Sequence, residues 1–377
     1  MRVARILVVA VIVIGAANVY RAHSSVLHKQ ALTGDFDGSG AVDFADFLEF
    51  ATAFGQSAVG DNARFDLDGS GGSIEFGDFL VFAAAFGQSS ADGESGDAAT
   101  ERVNIRDFVS VERGGDCADY AWSSTAAVLD VQNAKNFDGL VDIEATEGTC
   151  TITSNAIPNH DFNDESARFA HDVSEIGTTW EIPRNPAAAA STTSIELSSF
   201  DGIMLNGVVL DLLAAGCFGV GDGRIGCNDL SSPYRYDPMS PLANFGTDEH
   251  NAHTQPDGRY HYHGDPLAMY GEPTSVSGVV GFAADGYPIY GPYFSDGSTI
   301  REAVSGYVLR SGERTGGPGG AYDGTFVDDY AFTAGGDLDA CNGMVVDGQY
   351  GYYVTRTYPW VLACLKGAAD PSFQKRR

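Results

Sequence analysis

Two acidic loops near the N-terminus carry oxygen ligands at the spacing of a calcium site. In the first loop, the ligand positions of a twelve-residue pattern are filled by Asp35, Asp37, Ser39, the carbonyl of Ala41, Asp43 and Asp46. Ca²⁺ is a hard cation that takes about six to eight oxygen ligands, and a glycine in the middle of such a loop permits its sharp turn. The alternative is a solvated acidic turn. The pattern predicts a calcium site.

The second loop repeats the first about thirty residues later with one insertion. Its ligands are Asp66, Asp68, Ser70 and Asp78. Gly72 is an extra residue, so Asp78 stands one position later than the closing carboxylate of the first loop. A second calcium site is predicted here as well. It is expected to match the first in affinity if the inserted glycine loops out, and to be weaker if the insertion disturbs the ligand register.

Four histidines lie within fourteen residues: His250, His253, His261 and His263. In a β-strand alternate side chains share a face, so His261 and His263 are expected on one face and the flanking tyrosines on the other. A turn at Asp257-Gly258 would bring the four imidazoles together, which is a ligand set for Cu²⁺ or Zn²⁺. The alternative is a set of structural histidines inside a β-core. A lone loop histidine, His160, is a weaker fifth candidate.

The elements that position the acidic loops are two short amphipathic helices. Each loop is followed by apolar residues at i, i+3, i+4 and i+7: Phe47, Phe50, Ala51 and Phe54, then Phe79, Phe82, Ala83 and Phe86. This period predicts a helix. Gly55 and Gly87 stand where helix C-caps are expected. Because one loop–helix unit cannot bury its own apolar face, the two helices are expected to pack together.

The histidines lie in a longer segment with strand character. From residue 101 onward, Gly, Asn, Asp and Pro separate short β-branched and aromatic runs. This spacing predicts a mainly β domain, either a sandwich or a loop-rich β fold. The resulting organisation is a signal segment at 1–17, calcium repeats at 31–89, a polar linker at 90–100 and a β domain at 101–377.

Composition and the N-terminus indicate an exported protein. The formal net charge of −29 argues against nucleic-acid binding, which needs Lys and Arg. Positive residues followed by a short apolar run and small residues predict a cleaved signal segment, with an uncleaved anchor as the alternative. After cleavage no membrane association is expected. The predicted location is extracellular or at the cell surface.

Six cysteines agree with export. They are Cys117, Cys150, Cys217, Cys227, Cys341 and Cys364, and six cysteines allow 15 connectivities. We favour nearest-neighbour pairing, 117–150, 217–227 and 341–364, while free buried thiols remain the alternative. No two cysteines are spaced as in a zinc ribbon.

The repeat resembles the type I dockerins of secreted bacterial proteins, which are built from two loop–helix units of the EF-hand type. The resemblance covers roughly residues 31–89, and the matching ligands are those named above. It implies docking to a cohesin-like partner or another cell-surface protein through this segment. The helices here carry mainly Phe, Ala and Asp, so a calcium-stabilised spacer is the competing reading.

The β domain resembles the YHYH family over about residues 145–367. The resemblance rests on Tyr260-His261-Tyr262-His263 together with motifs in the expected order, namely Asn155 to His160, Leu205 to Val208, Gly286 to Tyr293, Leu338 to Gly343 and Tyr358 to Trp360. The family tends to have a second Tyr-His-Tyr-His sequence near the C-terminal end, and the corresponding stretch here is Tyr350-Gly351-Tyr352-Tyr353, which has no histidine. The family has no firmly established activity that the resemblance would imply for this chain.

Three functions follow as alternatives. The first, which we favour, is a non-catalytic extracellular protein that binds calcium and a transition metal. The second is a copper-dependent redox enzyme that uses the histidine cluster. The third is a structural or adhesive protein tethered through its repeats. The chain contains no nucleophile elbow, HExxH sequence or phosphate-binding loop, so the sequence leans away from an enzyme.

Overall fold

The computed structural model describes residues 33–37, 42, 44–86, 102–164, 169–243 and 245–375. The chain divides into two compact units with the boundary between residues 98 and 99. The predicted signal segment 1–17 and linker 90–100 lie outside the described residues, and the predicted domain limits stay predictions. The described residues contain no helix that is both long and apolar enough to span a membrane.

The smaller unit contains two ten-residue α-helices, α1 (Phe44–Ala53) and α2 (Phe76–Ala85), and a 3₁₀ helix at Gly60–Phe65. Phe50 and Phe82, at equivalent positions of the two helices, stack with ring centroids 5.3 Å apart. These rings form the centre of a small apolar core. The two loop–helix repeats therefore bury their apolar faces against each other, which a single repeat could not do alone.

The buried face of each helix differs from the predicted one at its C-terminal end. Phe54 and Phe86 are about half exposed and the predicted face residues Ala51 and Ala83 are exposed, whereas Ala53 and Ala85 are buried. The helices end at these alanines, so the following phenylalanines lie beyond the last helical turn and leave the face that the period predicts. Gly55 has φ of 79°, the left-handed conformation expected where a helix ends.

The larger unit is mainly β, which confirms the predicted class of this part of the chain. Its strands in chain order are β1 Val103–Asn104, β2 Ser123–Asp130, β3 Lys135–Ala145, β4 Thr149–Ser154, β5 Thr178–Pro183, β6 Thr193–Ser194, β7 Gly202–Met204, β8 Val209–Leu210, β9 Ala252–Thr254, β10 Tyr260–Tyr262, β11 Val279–Ala283, β12 Pro288–Tyr290, β13 Tyr293–Ser295, β14 Ile300–Glu302, β15 Tyr307–Leu309, β16 Tyr330–Phe332, β17 Gly343–Val346, β18 Gln349–Tyr353 and β19 Cys364–Leu365. Short 3₁₀ helices lie at Cys117–Tyr120, Leu267–Met269, Val327–Asp329 and Pro371–Phe373.

Two sheets supply the core of this unit. Strands β1 to β5 form a five-stranded sheet in chain order, and an eight-stranded sheet has the order β17-β18-β12-β11-β7-β8-β10-β9. In β2 to β5 buried residues alternate with less buried ones, as expected of a sheet with one covered face. Strands β11 and β12 are buried throughout. Side chains of both sheets belong to one hydrophobic cluster.

Three disulfides join the cysteine pairs that the sequence analysis favours. Cys117–Cys150, Cys217–Cys227 and Cys341–Cys364 are bonded, and the chain has no free cysteine. The second pair closes a glycine-rich loop, and its two cysteines are ten positions apart in the sequence. The alternative of free buried thiols is therefore wrong for this structure.

Candidate metal centre

The histidine cluster is positioned by the antiparallel pair β9–β10 at one edge of the eight-stranded sheet. The turn between the strands contains Gly258 with φ of 88°, a conformation that favours glycine. This turn places His253 opposite His261 in the strand register. Because alternate residues of a strand share a face, His263 points to the same side as His261. The predicted turn and alternation thus bring three of the four histidines together.

The three imidazoles meet through their Nε2 atoms. His263 Nε2 lies 2.9 Å from His253 Nε2 and 3.0 Å from His261 Nε2. These ligand atoms form a group within metal-binding distance of one another. With metal–nitrogen bonds of about 2.0–2.1 Å, two imidazole nitrogens on a tetrahedral ion lie about 3.3 Å apart, so small side-chain shifts are enough to accommodate one.

Backbone carbonyls decide which ring nitrogens carry protons. His253 Nδ1 lies 3.0 Å from the Phe245 carbonyl oxygen, and His261 Nδ1 lies 3.2 Å from the Arg259 carbonyl oxygen. A carbonyl only accepts, so both Nδ1 atoms donate and both neutral rings present an Nε2 lone pair. His263 Nε2 can donate to one of them at most. Neutral imidazoles therefore leave two lone pairs facing each other, and a shared cation would relieve this contact.

Burial keeps these histidines neutral. His261 and His263 are almost completely buried, and His253 on the edge strand is partly exposed. Burial lowers the pKa of His253, and it lowers the pKa values of His261 and His263 well below the ordinary value. The neighbouring histidines lower the pKa values of His261 and His263 further. Neutral rings retain the lone pair that a metal ligand needs.

His250, the fourth predicted ligand, lies apart from this group. Its ring packs against His160 with centroids 3.8 Å apart, and its Nε2 is 3.6 Å from Asp164 Oδ2. His250 precedes β9 in a turn where Asn251 has φ of 62°, so strand alternation does not relate it to His253. His160, the weaker fifth candidate, also lies outside the group of three.

The two tyrosines of the motif make a polar network on the opposite face of β10. Tyr262 Oη lies 2.6 Å from His160 Nε2 and accepts from Asn206 Nδ2 at 2.9 Å. Asn206 Nδ2 also donates to Asn159 Oδ1. Tyr260 donates to Asp248 Oδ2 at 2.8 Å. The motifs that contain His160, Asn206 and Tyr262 therefore meet at the buried hydroxyl of Tyr262. His160 belongs to this hydrogen-bond network and not to the group of three histidines.

Sequence reasoning missed a second polar group beside the three histidines. Asp211 follows β8 and its carboxylate accepts from Gln255 Nε2 at 2.5 Å and from Lys375 Nζ at 2.6 Å. Strand β10 lies between β8 and β9, so the Asp211–Gln255 contact crosses β10. By strand alternation Asp211 and Gln255 are on the histidine face. No sequence signal could have found this group, because Asp211, Gln255 and Lys375 are each more than forty positions apart along the chain.

The acidic loops place their carboxylates as two equivalent groups. Asp35, Asp37 and Asp46 lie together, as do Asp66, Asp68 and Asp78. Asp46 Oδ1 accepts from the Phe36 and Asp37 backbone amides, and Asp78 Oδ1 accepts from those of Leu67 and Asp68. The hydrogen-bond pattern is the same in both loops, which indicates that the inserted glycine does not displace Asp78. Ser39, Ala41 and Asp43 lie outside the described residues.

The inserted Gly72 adopts φ of 89°, next to Gly71 with φ of 69°. Two successive left-handed residues let the chain loop out, which a residue with a side chain would resist. Ser70, the remaining predicted ligand, donates its backbone amide to Asp68 Oδ1. Asp78 thus lies beside Asp66 and Asp68 as Asp46 lies beside Asp35 and Asp37.

Comparison with known proteins gives one family match. The family model described as YHYH protein matches residues 179–367, half of the chain. No curated protein and no solved structure matches the sequence. The matched range contains β6 to β19 and all but the first residue of β5, and with them the three histidines, Tyr260 and Tyr262. On this match the chain belongs to the YHYH protein family.

Proposed function

We propose that this is a secreted, non-catalytic protein whose YHYH domain binds a transition metal through His253, His261 and His263. The observation that supports the proposal is the contact of three Nε2 atoms. In His253 and His261 the Nδ1 atom donates to a backbone carbonyl, so the Nε2 atom of each neutral ring carries a free lone pair. Copper and zinc are the candidates, since both accept imidazole ligands. The partly exposed His253 offers the ion a route from solvent.

A metal-retention experiment tests this proposal. The full chain is loaded with Cu²⁺ or Zn²⁺, dialysed, and analysed for bound metal by mass spectrometry. We expect about one equivalent in the wild type and none in His261→Ala/His263→Ala. Because those buried substitutions can impair folding, His253→Ala on the partly exposed edge strand serves as a second variant. The exposed His171→Ala is the matched control and should retain metal. Full retention in His253→Ala would contradict the proposed site.

The N-terminal repeats are proposed to bind calcium as a dockerin-like pair. The grouping of Asp35, Asp37 and Asp46, and that of Asp66, Asp68 and Asp78, supports this assignment. The closing carboxylates Asp46 and Asp78 are completely buried, and backbone amides donate hydrogen bonds to both. A bound Ca²⁺ would add the positive charge that favours burial of these carboxylates. Calcium is thus the second proposed cofactor.

Calorimetric titration with Ca²⁺ in chelator-treated full chain tests the calcium sites. We expect two equivalents in the wild type and the loss of one in each of Asp46→Ala and Asp78→Ala. Asp61, an exposed carboxylate of the intervening 3₁₀ helix, provides the control Asp61→Ala. Calcium binding that is unchanged in both loop variants would contradict the assignment.

The repeats are also the proposed contact for a cohesin-like or other cell-surface protein. Each helix exposes a leucine and is followed by an exposed phenylalanine. In the first repeat these residues are Leu48 and Phe54, and in the second they are Leu80 and Phe86. Each of the four side chains is about half exposed. Exposed apolar side chains that recur at equivalent positions are typical of a protein contact surface. Secretion itself is proposed from the three disulfides and the signal-like N-terminus.

A further inference from the structure

The donor set of the three-histidine site carries no negative charge. Among the described residues, the ligand group contains only His253, His261 and His263, with no carboxylate or thiolate in it. Neutral imidazoles do not reduce the charge of a bound ion. Any ion held there keeps its full formal charge unless a further ligand enters from solvent.

The surroundings of the site are cationic. Arg259 precedes β10 on the histidine face, its Nη1 has no hydrogen-bond partner, and its Nε is 3.9 Å from the exposed Asp257. Lys375 lies on the same side, and both cations flank the ring of Phe200, at 5.7 Å and 4.9 Å from its centroid.

The carboxylate of Asp211 lies on the histidine face and pairs with one of these two cations. Asp211 is buried and is already paired with Lys375 at 2.6 Å. Its other contact is the neutral amide of Gln255. Arg259 is left with the longer contact, 3.9 Å, to the exposed carboxylate of Asp257. Moving an ion from water into such a buried position costs free energy that rises with the square of its charge.

We propose that the three-histidine site selects monovalent copper, Cu⁺, over divalent ions. This inference rests on the proposed metal-binding function and names the ion that the site takes. A Cu⁺ ion has about one quarter of the desolvation cost of a divalent ion of similar size and experiences half of the repulsion from Arg259. Three imidazoles satisfy a low-coordinate copper ion, whereas a divalent ion would need an additional anion on the side of His253.

Competition between the two ions tests the selection. Under anaerobic conditions the full chain is titrated with Cu⁺ against a chromogenic Cu⁺ chelator, and with Zn²⁺ against a zinc-sensitive dye. We expect one equivalent of Cu⁺, lost in His253→Ala, and a Kd for Cu⁺ at least about a hundredfold below that for Zn²⁺, equivalent to about 2.7 kcal/mol. Zn²⁺ binding as tight as Cu⁺ binding would overturn the selection while leaving the metal site intact. Binding of neither ion would overturn both proposals.

Two charge variants near the site provide an independent readout. Lys375→Met removes a cation and Asp211→Asn removes the anion that pairs with it. A change of one unit charge acts on Zn²⁺ with twice the energy that it exerts on Cu⁺. The preference for Cu⁺ should therefore fall about tenfold in Lys375→Met and rise about tenfold in Asp211→Asn, as expected for a unit charge at roughly 10 Å in an effective dielectric of about 20.

Lys366→Met is the matched control, because Lys366 forms a partly exposed ion pair with Asp339 elsewhere in the domain. It should leave the preference unchanged. Shifts of the same sign in Lys375→Met and Asp211→Asn would overturn the electrostatic origin of the selection. Equal shifts in the control and in Lys375→Met would do the same.

Discussion

His253 and His261 are register partners across the β9–β10 pair, with ring centroids 4.9 Å apart. The sheet edge thus joins a partly exposed imidazole to two buried ones, and the contact depends on the pairing of only three residues on each strand. A metal shared by these rings would fasten the edge strand to the sheet.

Metal should therefore stabilise the wild type but not His253→Ala. At a free metal concentration of about 100 times Kd, the gain in unfolding free energy is about 2.7 kcal/mol. We expect the thermal midpoint to rise by several degrees in the wild type and to stay constant in His253→Ala. His250→Gln, which changes the histidine packed against His160, should keep the full shift. Loss of the shift in His250→Gln would place that residue in the site.

Tyr262→Phe should destabilise the fold without loss of metal. The substitution removes the hydroxyl that contacts His160 Nε2 and Asn206 Nδ2, leaving buried polar atoms without a partner, at a cost of about 1–3 kcal/mol. Urea unfolding measures the loss, and mass spectrometry should still find one equivalent of metal because the hydroxyl lies on the opposite face of β10. Tyr287→Phe, at a partly buried tyrosine beside β12, is the control and should change stability less.

Removal of two disulfides should have unequal effects. Cys117–Cys150 closes 33 residues and Cys217–Cys227 closes 10. In the chain-entropy description, their removal by paired Cys→Ala substitutions costs about 4 and about 3 kcal/mol of unfolding free energy. Denaturant unfolding of each double variant measures this difference. A larger loss for the shorter loop would show that contacts made by the cysteines, rather than loop length, dominate.

Asp201→Asn should remove one contribution to the pH dependence of stability. Burial, followed by the charge of Asp211, raises the pKa of Asp201 to about 8. Between about pH 4 and pH 8 the folded carboxyl holds a proton that the unfolded one releases, so the contribution of Asp201 to stability falls as pH rises, by up to about 1.4 kcal/mol per pH unit. The asparagine variant lacks this contribution and should overtake the wild type as pH rises.

Urea unfolding between pH 5 and pH 8 measures both slopes. Asp347→Asn, at an exposed turn position with φ of 53°, is the control that should keep the wild-type slope. An unchanged slope in Asp201→Asn would show that Asp201 is ionised in the folded state. The slope that remains in the variant includes the other buried carboxyls whose pKa values burial raises, among them Asp211, Asp237 and Asp248.

The sequence by itself was enough for features that depend on local periodicity. Alternation along Tyr260 to His263 determined which side chains share a face, and the repeated loop spacing determined where Asp46 and Asp78 stand relative to the helices that follow. The cysteine pairs also followed chain order, because each closes a short loop. In all three cases the interacting residues are near neighbours along the chain, so spacing carries the geometry.

Only the tertiary structure decided which polar groups surround the histidines. The exclusion of His250 depends on a left-handed turn at Asn251 that breaks strand alternation. The approach of Asp211 depends on β8 pairing with β10 out of chain order, and that of Lys375 on the C-terminal segment returning to the sheet. These contacts follow from long-range strand order and shared burial, which no local period in the sequence records.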